Sequence, residues 1–383
     1  MDYVIGGAST YSRQPGKRPT LFGKEHPDYG IGCYEYFESE RVISYPMGQH
    51  GPPFGFRPRW LVDRMASLLT SGKAESLSYA PCVENEVAEI LCGLPGVESV
   101  RFGKNGGDVC AAAVRLARAV TGRDKVLSFG YHGAAAEFCH EPQGRGVPQL
   151  LKDLVYWFAW GDRTIWERSQ ECAAIIVEVP PTDDAEETQE YLRFLKSLAA
   201  SSGCLFILDE VVTGFRLDFG GAAEYYNVVP DLYCWGKAMS NGFAVSALGG
   251  KRELMQEFQN GVFFSGTFFD DPLGLSAAKW TLGKLRDERT SVYAHLWEMG
   301  LELKRGFNIF AEQFGIDARC VGQAPRTVFE FADNSVRSNF NMECLKRGVL
   351  FDRPQFISTA HTEEIVKQSL DVIEQAMGEL GDH

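Results

Sequence analysis

Two carboxylates and one lysine, each closing a short apolar run, are the side chains in this sequence best placed to do chemistry together. Asp209 and Glu210 follow Cys204-Leu205-Phe206-Ile207-Leu208, and Lys237 follows Leu232-Tyr233-Cys234-Trp235-Gly236. Runs of this length and composition read as strands buried on both faces. In an open α/β sheet, ligands gather beyond the carboxyl ends of the strands, so the acid and the lysine are expected at one edge. An acid that holds a pyridinium nitrogen and a lysine that forms a Schiff base are what a protein must offer pyridoxal 5'-phosphate (PLP). Asp-Glu after a strand is common and a single lysine is ordinarily solvated. The ordered set carries the signal.

The elements that must position these groups can be read outward from them. Residues 99–102 read as a strand, followed by the glycine turn Gly103-Lys104-Asn105-Gly106-Gly107 and a helix over 108–120. A glycine turn feeding a helix N-terminus presents free amide N–H groups and a positive dipole end, which suits phosphate. A second strand over 125–129 ends in Gly130-Tyr131-His132-Gly133, where His132 is a candidate acid/base or a residue held in the turn. A buried strand over 173–177 ends in Glu178, and an amphipathic helix over 190–200 leads into the Asp209 strand. Residues 246–250 read as a return strand after Lys237. Strands alternating with helices predict an α/β fold with a mostly parallel central sheet between helices. From about 273 the pattern turns mainly helical, with helices over 292–314 and 363–380 and a strand near 327–331. The expected organisation is therefore an N-terminal arm over 1–45 that forms part of a small domain, a large PLP-binding domain over 46–272, and a smaller α+β C-terminal domain over 273–383.

The bulk properties remove several classes of function. The 383 residues hold 38 basic and 51 acidic side chains, a net charge of −13, which repels phosphate backbones and argues against nucleic acid as a partner. No apolar run approaches the roughly 20 residues of a membrane span, so no membrane partner is expected. The N-terminal residues have no signal-peptide pattern. The ten cysteines are spread singly, with no metal spacing and no disulfide framework, so no metal is expected. Cys110, Cys204 and Cys234 sit in apolar runs and read as packing residues. A reducing cytoplasm is the expected location.

Asp209-Glu210-Val211-Val212-Thr213-Gly214-Phe215-Arg216, then Pro230-Asp231-Leu232 and Gly236-Lys237, resembles the signature of class III (omega-type) PLP-dependent aminotransferases. Within that group the chain is most similar to glutamate-1-semialdehyde aminomutase-like members. The resemblance implies a PLP-dependent transferase of fold type I. By it, Lys237 and Asp209 are the catalytic pair, Asn105, Gly106 and Gly107 hold the phosphate, and Tyr131 stacks on the ring with His132 beside it. It also places Val211 against the opposite ring face. Phe264-Ser265-Gly266-Thr267 matches the family's Ser/Ala-Gly-Thr, whose threonine binds the phosphate of the neighbouring subunit, which implies a homodimer with shared active sites. Arg13, in Gly6-Gly7-Ala8-Ser9-Thr10-Tyr11-Ser12-Arg13, falls where an arginine meets a substrate carboxylate; a solvated arginine on an irregular arm fits the residues equally well. Tyr79, in Ser76-Leu77-Ser78-Tyr79-Ala80-Pro81-Cys82, and Glu178 complete the substrate-side candidates.

The sequence also departs from the family pattern. Gly48 to Pro58 lacks the Gly-His-x-His-Pro motif, and the threonine hydroxyl of Ser-Gly-Thr is absent at Asn105-Gly106-Gly107. Glu178-Val179-Pro180 displaces a glutamate-proline pair by one residue. The segment 134–161 is shorter than the aminomutase lid, and the gating glutamate expected between Phe356 and Ser358 is missing. An aminomutase must retain its intermediate through two half-reactions, so gating matters. The expectation is therefore an intermolecular, ping-pong aminotransferase acting on a small amine or amino acid and an oxo acid. The alternatives are an intramolecular aminomutase and a non-catalytic PLP-fold binding protein.

Overall fold

A computed structural model of the chain describes residues 8–10, 13, 26–139 and 144–381. Gly6-Gly7 and Tyr11-Ser12 of the N-terminal resemblance, and residues 140–143 of the shortened lid segment, lie outside the described residues. The chain divides into two compact units. One comprises Met1–Gln49, Phe54–Pro58 and Leu296–His383; the other comprises His50–Pro53 and Arg59–His295. The expected boundary at 272/273 coincides with the start of the helix Pro272–Asp287, inside the second of these units.

The larger unit is built on a seven-stranded sheet. Its order is Ser99–Gly103, Ser246–Gly250, Leu232–Trp235, Leu205–Glu210, Cys172–Glu178, Lys125–Phe129 and Val155–Trp157. The last five strands pair in parallel. Ser246–Gly250 alone runs against its neighbours on both sides. The strand Cys172–Glu178 is buried at every position but its last, as a strand covered on both faces must be. The helix Gly106–Thr121 packs its small apolar side, Val109, Cys110, Ala113 and Ala117, into the core with Ile176, Ile207, Cys234 and Leu248. It stops at Gly122, whose φ of 68° is the left-handed conformation that ends helices. The helix before the Asp209 strand begins at Ala185 and not near 190. There the Asp184 carboxylate accepts the Glu187 N–H at 2.8 Å, an N-cap that apolar periodicity does not reveal.

The smaller unit joins the two ends of the chain. The hairpin Tyr34–Phe37 with Glu40–Ser44 gains a parallel partner from Val349–Leu350. A three-stranded sheet of Ala318–Val321, Arg326–Phe331 and Gln355–Phe356 backs an aromatic cluster in which Phe307 stacks on Phe329 at 4.0 Å, with Phe340 and Phe351 around them. Among the described residues, no helix is long and apolar enough to cross a membrane.

Candidate active site

Parallel pairing sets Asp209 opposite Cys234 and Glu210 opposite Trp235. Lys237 lies two residues beyond Trp235, so the acid and the lysine share one edge of the sheet, at adjacent strand ends. On the other side, Glu178 is in register with Asp209. The strands thus deliver Glu178, Asp209 and Lys237 in a row. Lys237 has φ +44°, a left-handed conformation that costs a non-glycine residue of order 1–3 kcal/mol and persists mainly at functional sites. It is half-buried.

Alternation along the strand sends the two acids in opposite directions. Glu210 turns into the protein, where its carboxylate accepts the Ala222 and Ala223 N–H groups at 2.9 and 2.7 Å and the Thr213 hydroxyl at 2.5 Å. Burial pushes its carboxyl up to about 7 against those three donors. Glu210 is an anchor for the loop that follows the strand. Asp209 faces the other way, toward the turn that carries His132. Its Oδ1 accepts the Val211 N–H at 3.0 Å, and its Oδ2 lies 2.7 Å from His132 Nδ1 and 3.4 Å from Cys110 Sγ. Burial alone would lower the His132 pKa. Hydrogen bonds to Asp209 and Cys110, with the charge of Asp209, outweigh it and raise the imidazole to about 10. Asp209 thus favours the protonated form of the imidazole beside it. His132, expected either as an acid/base or as a residue held in the turn, is 1% exposed and hydrogen-bonded to Asp209.

Glycines draw the remaining pieces together. A Cβ on Gly106 would lie 2.8 Å from the Val211 methyl groups, and one on Gly133 would lie 2.4 Å from Gly107 Cα. The Asn105-Gly106-Gly107 turn thus touches both Val211, two residues beyond Asp209, and the turn carrying Tyr131 and His132. Gly133 also has φ +98°, which an L side chain rarely adopts. Ser246 Oγ donates to the Asn105 carbonyl at 2.8 Å, tying the glycine turn to the return strand. Asp108 accepts the Asn105 N–H at 2.7 Å, which fixes the start of the helix. Tyr131 stands 72% exposed at the rim, with its N–H directed at Glu178 Oε2 at 3.4 Å.

Two other expected residues of the larger unit are open to solvent. Thr267 is exposed in the turn over 267–270, and Tyr79 is 87% exposed in the loop before the helix Cys82–Leu91. Arg13, in the smaller unit, donates from Nη2 to the Gly48 carbonyl at 2.6 Å. Sequence reasoning missed Ser246 and the contact between Cys110 and Asp209. The periodicity of the helix put Cys110 in the core, and it is there, but spacing could not say that a carboxylate would be its neighbour. Nor does spacing reveal that Cys110, His132 and Asp209 bring their ligand atoms within 4.8 Å of one another, a grouping of metal-binding type. The Cys110 thiol is held well above its usual range, first by a hydrogen bond with Cys234 and then by burial. It therefore keeps its proton and acts as a donor, unlike the thiolate a metal needs.

The arrangement fits PLP on three observations. Close backbone approach at Gly106, Gly107 and Gly133 leaves a cradle that side chains would fill, a helix N-terminus opens on it, and an acid and a lysine stand at adjacent strand ends. These features define a PLP-dependent enzyme of fold type I. Comparison with known proteins agrees: residues 163–367 match the model of the family described as Aminotransferase class-III. The chain belongs to that family, whose members use pyridoxal phosphate. It is 29% identical to a glutamate-1-semialdehyde 2,1-aminomutase of Methanosphaera stadtmanae, over 99% of this chain and 96% of the relative. A protein of the same name from Desulforudis audaxviator is 33% identical over 77% of each chain. The solved structure of the FumI protein of Sphingopyxis sp. MTA144 superposes with a TM-score of 0.88, at 23% identity, over 98% of this chain and 94% of that one.

Proposed function

We propose that this chain moves an amino group between adjacent carbons of one small substrate, the 2,1-aminomutase reaction named for its full-length relatives. The observation that carries this reading is the similarity to those relatives along almost the entire chain, joined to an acid and a lysine on neighbouring strands. The missing gate favours intermolecular transfer, the first expectation from the sequence; the names of the relatives favour the aminomutase. In the aminomutase reaction the amine on one carbon and the oxygen on the next change places. There is no net oxidation and no second substrate.

PLP, when bound, supplies an aldehyde to capture the amine and a ring that accepts electrons from the neighbouring carbon. Asp209 would hold the ring nitrogen in its protonated form by accepting its N–H, with His132 fixed behind the carboxylate at 2.7 Å. The Lys237 amine would hold the cofactor and would move a proton at the substrate carbon. Backbone N–H groups at Gly106 and Gly107 would bind the phosphate, with Asn105 holding the turn through its own N–H to Asp108. Val211 excludes water from one ring face and Tyr131 covers the other. Glu178, Tyr79 and Arg13 are assigned to the substrate side. Thr267 serves the site of a second copy, a role supported by its exposure beside Phe263 and Phe268, 73% and 62% exposed. None of the ten cysteines forms a disulfide, which supports the reading of a reducing cytoplasm.

One observation favours intermolecular transfer as the second reading. Phe356, Ile357 and Ser358 are buried in direct succession, without an acidic side chain from Gln355 to Thr362 where the gate is expected. Incubation of the PLP-loaded protein with glutamate-1-semialdehyde alone separates the two. Conversion to the isomer with the amine on carbon 1, with no added partner, supports the aminomutase. Turnover only when an amine and a 2-oxo acid are supplied together would replace it with the transferase.

A further inference from the structure

We propose that Cys110 is a positioning residue: its thiol donates to Asp209 Oδ2 and fixes the orientation in which that carboxylate meets the ring nitrogen of PLP. This rests on the PLP reading of the site. A carboxylate 1% exposed must find donors for its charge or give it up. Oδ2 faces two, His132 Nδ1 at 2.7 Å and Cys110 Sγ at 3.4 Å, while Oδ1 takes the Val211 N–H at 3.0 Å. The two donors on Oδ2 come from different elements, the turn after Lys125–Phe129 and the helix Gly106–Thr121. Rotation of the carboxylate would break both at once. A thiol that keeps its proton must direct it somewhere, and a carboxylate is the strongest acceptor within its reach. Cys234, fully buried on the neighbouring strand, is a second and weaker acceptor beside the Cys110 thiol, so the carboxylate is the better partner for its proton.

The competing role is packing, since a buried cysteine ordinarily behaves as a small hydrophobe. The two roles order substitutions in opposite ways. Valine fills the space and cannot donate; serine donates but packs poorly. The test is titration of apoprotein with PLP for Cys110→Val, Cys110→Ser and Cys110→Ala, together with the pH midpoint of the bound cofactor's visible band and the melting temperature of each apoprotein. A weak donor to a charged acceptor sets the expected scale: Val and Ala raise the PLP Kd about tenfold and shift the midpoint, while Ser stays within about threefold of wild type. Wild-type binding by Val with weakened binding by Ser would overturn the proposal. Should Val not fold, Ser against Ala decides, because both shrink the side chain and only Ser keeps a donor; equal weakening of the two overturns it. A wild-type protein that binds no PLP removes the cofactor reading and this inference with it, whereas normal wild-type binding with the packing order removes only the role of Cys110.

Discussion

The inner wall and the outer rim of the candidate site are built in different ways. On the inner wall, Asp209, His132 and Cys110 are each 1% exposed and tied to one another by hydrogen bonds. At the rim, Tyr131 and Tyr79 are 72% and 87% exposed and Thr267 is open to solvent. The wall is complete within one chain: strand register places Asp209, and a turn and a helix of the same unit bring His132 and Cys110 to it. The rim consists of loop residues whose proposed partners are a ring, a substrate or a second copy. Substitutions at the wall should therefore act on stability and cofactor binding together, and those at the rim on binding with the fold left intact.

The largest effect is expected at Lys237, which stands where wall meets rim. Lys237→Ala should lower turnover by about a thousandfold or more, while the melting temperature falls little, because the left-handed backbone was never favourable for lysine. Next is Gly133→Ala, which forces a Cβ to 2.4 Å from Gly107 Cα at φ +98°. We expect a loss of about 3 kcal/mol in denaturant unfolding, with PLP binding lost alongside. Thr267→Ala and Tyr131→Ala should each weaken PLP binding about tenfold and change stability by less than about 0.5 kcal/mol. A rim substitution that unfolds the protein would erase the distinction. The smallest effect concerns pH. His132 is raised from 6.5 to about 10 in the fold, so its contribution is fully present below pH 6.5 and is lost as pH rises through about 10. Apoprotein stability should fall across that window, and His132→Gln should flatten the slope.

The wall was the part most legible in the sequence. An apolar run ending in Asp209 and another ending in Gly236-Lys237 predict strands, and parallel strands bring their ends to one edge without further information. Which of Asp209 and Glu210 faces the site follows from alternation once the strand is granted, and Glu210 proves to be bound to Ala222 and Ala223. Cys110 was legible only as core. Its contact spans 99 residues of sequence and depends on how a helix is rotated against a sheet, which periodicity states too coarsely. Helix starts were misplaced for a similar reason, since the Asp184 cap lies outside the apolar pattern that marked the helix. At the rim, Tyr79 and Thr267 could be named from motifs, but a motif does not supply the surface they meet.

One measurement tests the central claim that neighbouring strand ends form a single PLP site. The protein is loaded with PLP, treated with borohydride to trap any covalent adduct, digested, and mapped by mass spectrometry, with Asp209→Asn treated in parallel. The account predicts one labelled lysine, Lys237, and label strongly reduced in Asp209→Asn. Label spread over surface lysines, or label at Lys237 indifferent to Asp209, would contradict it.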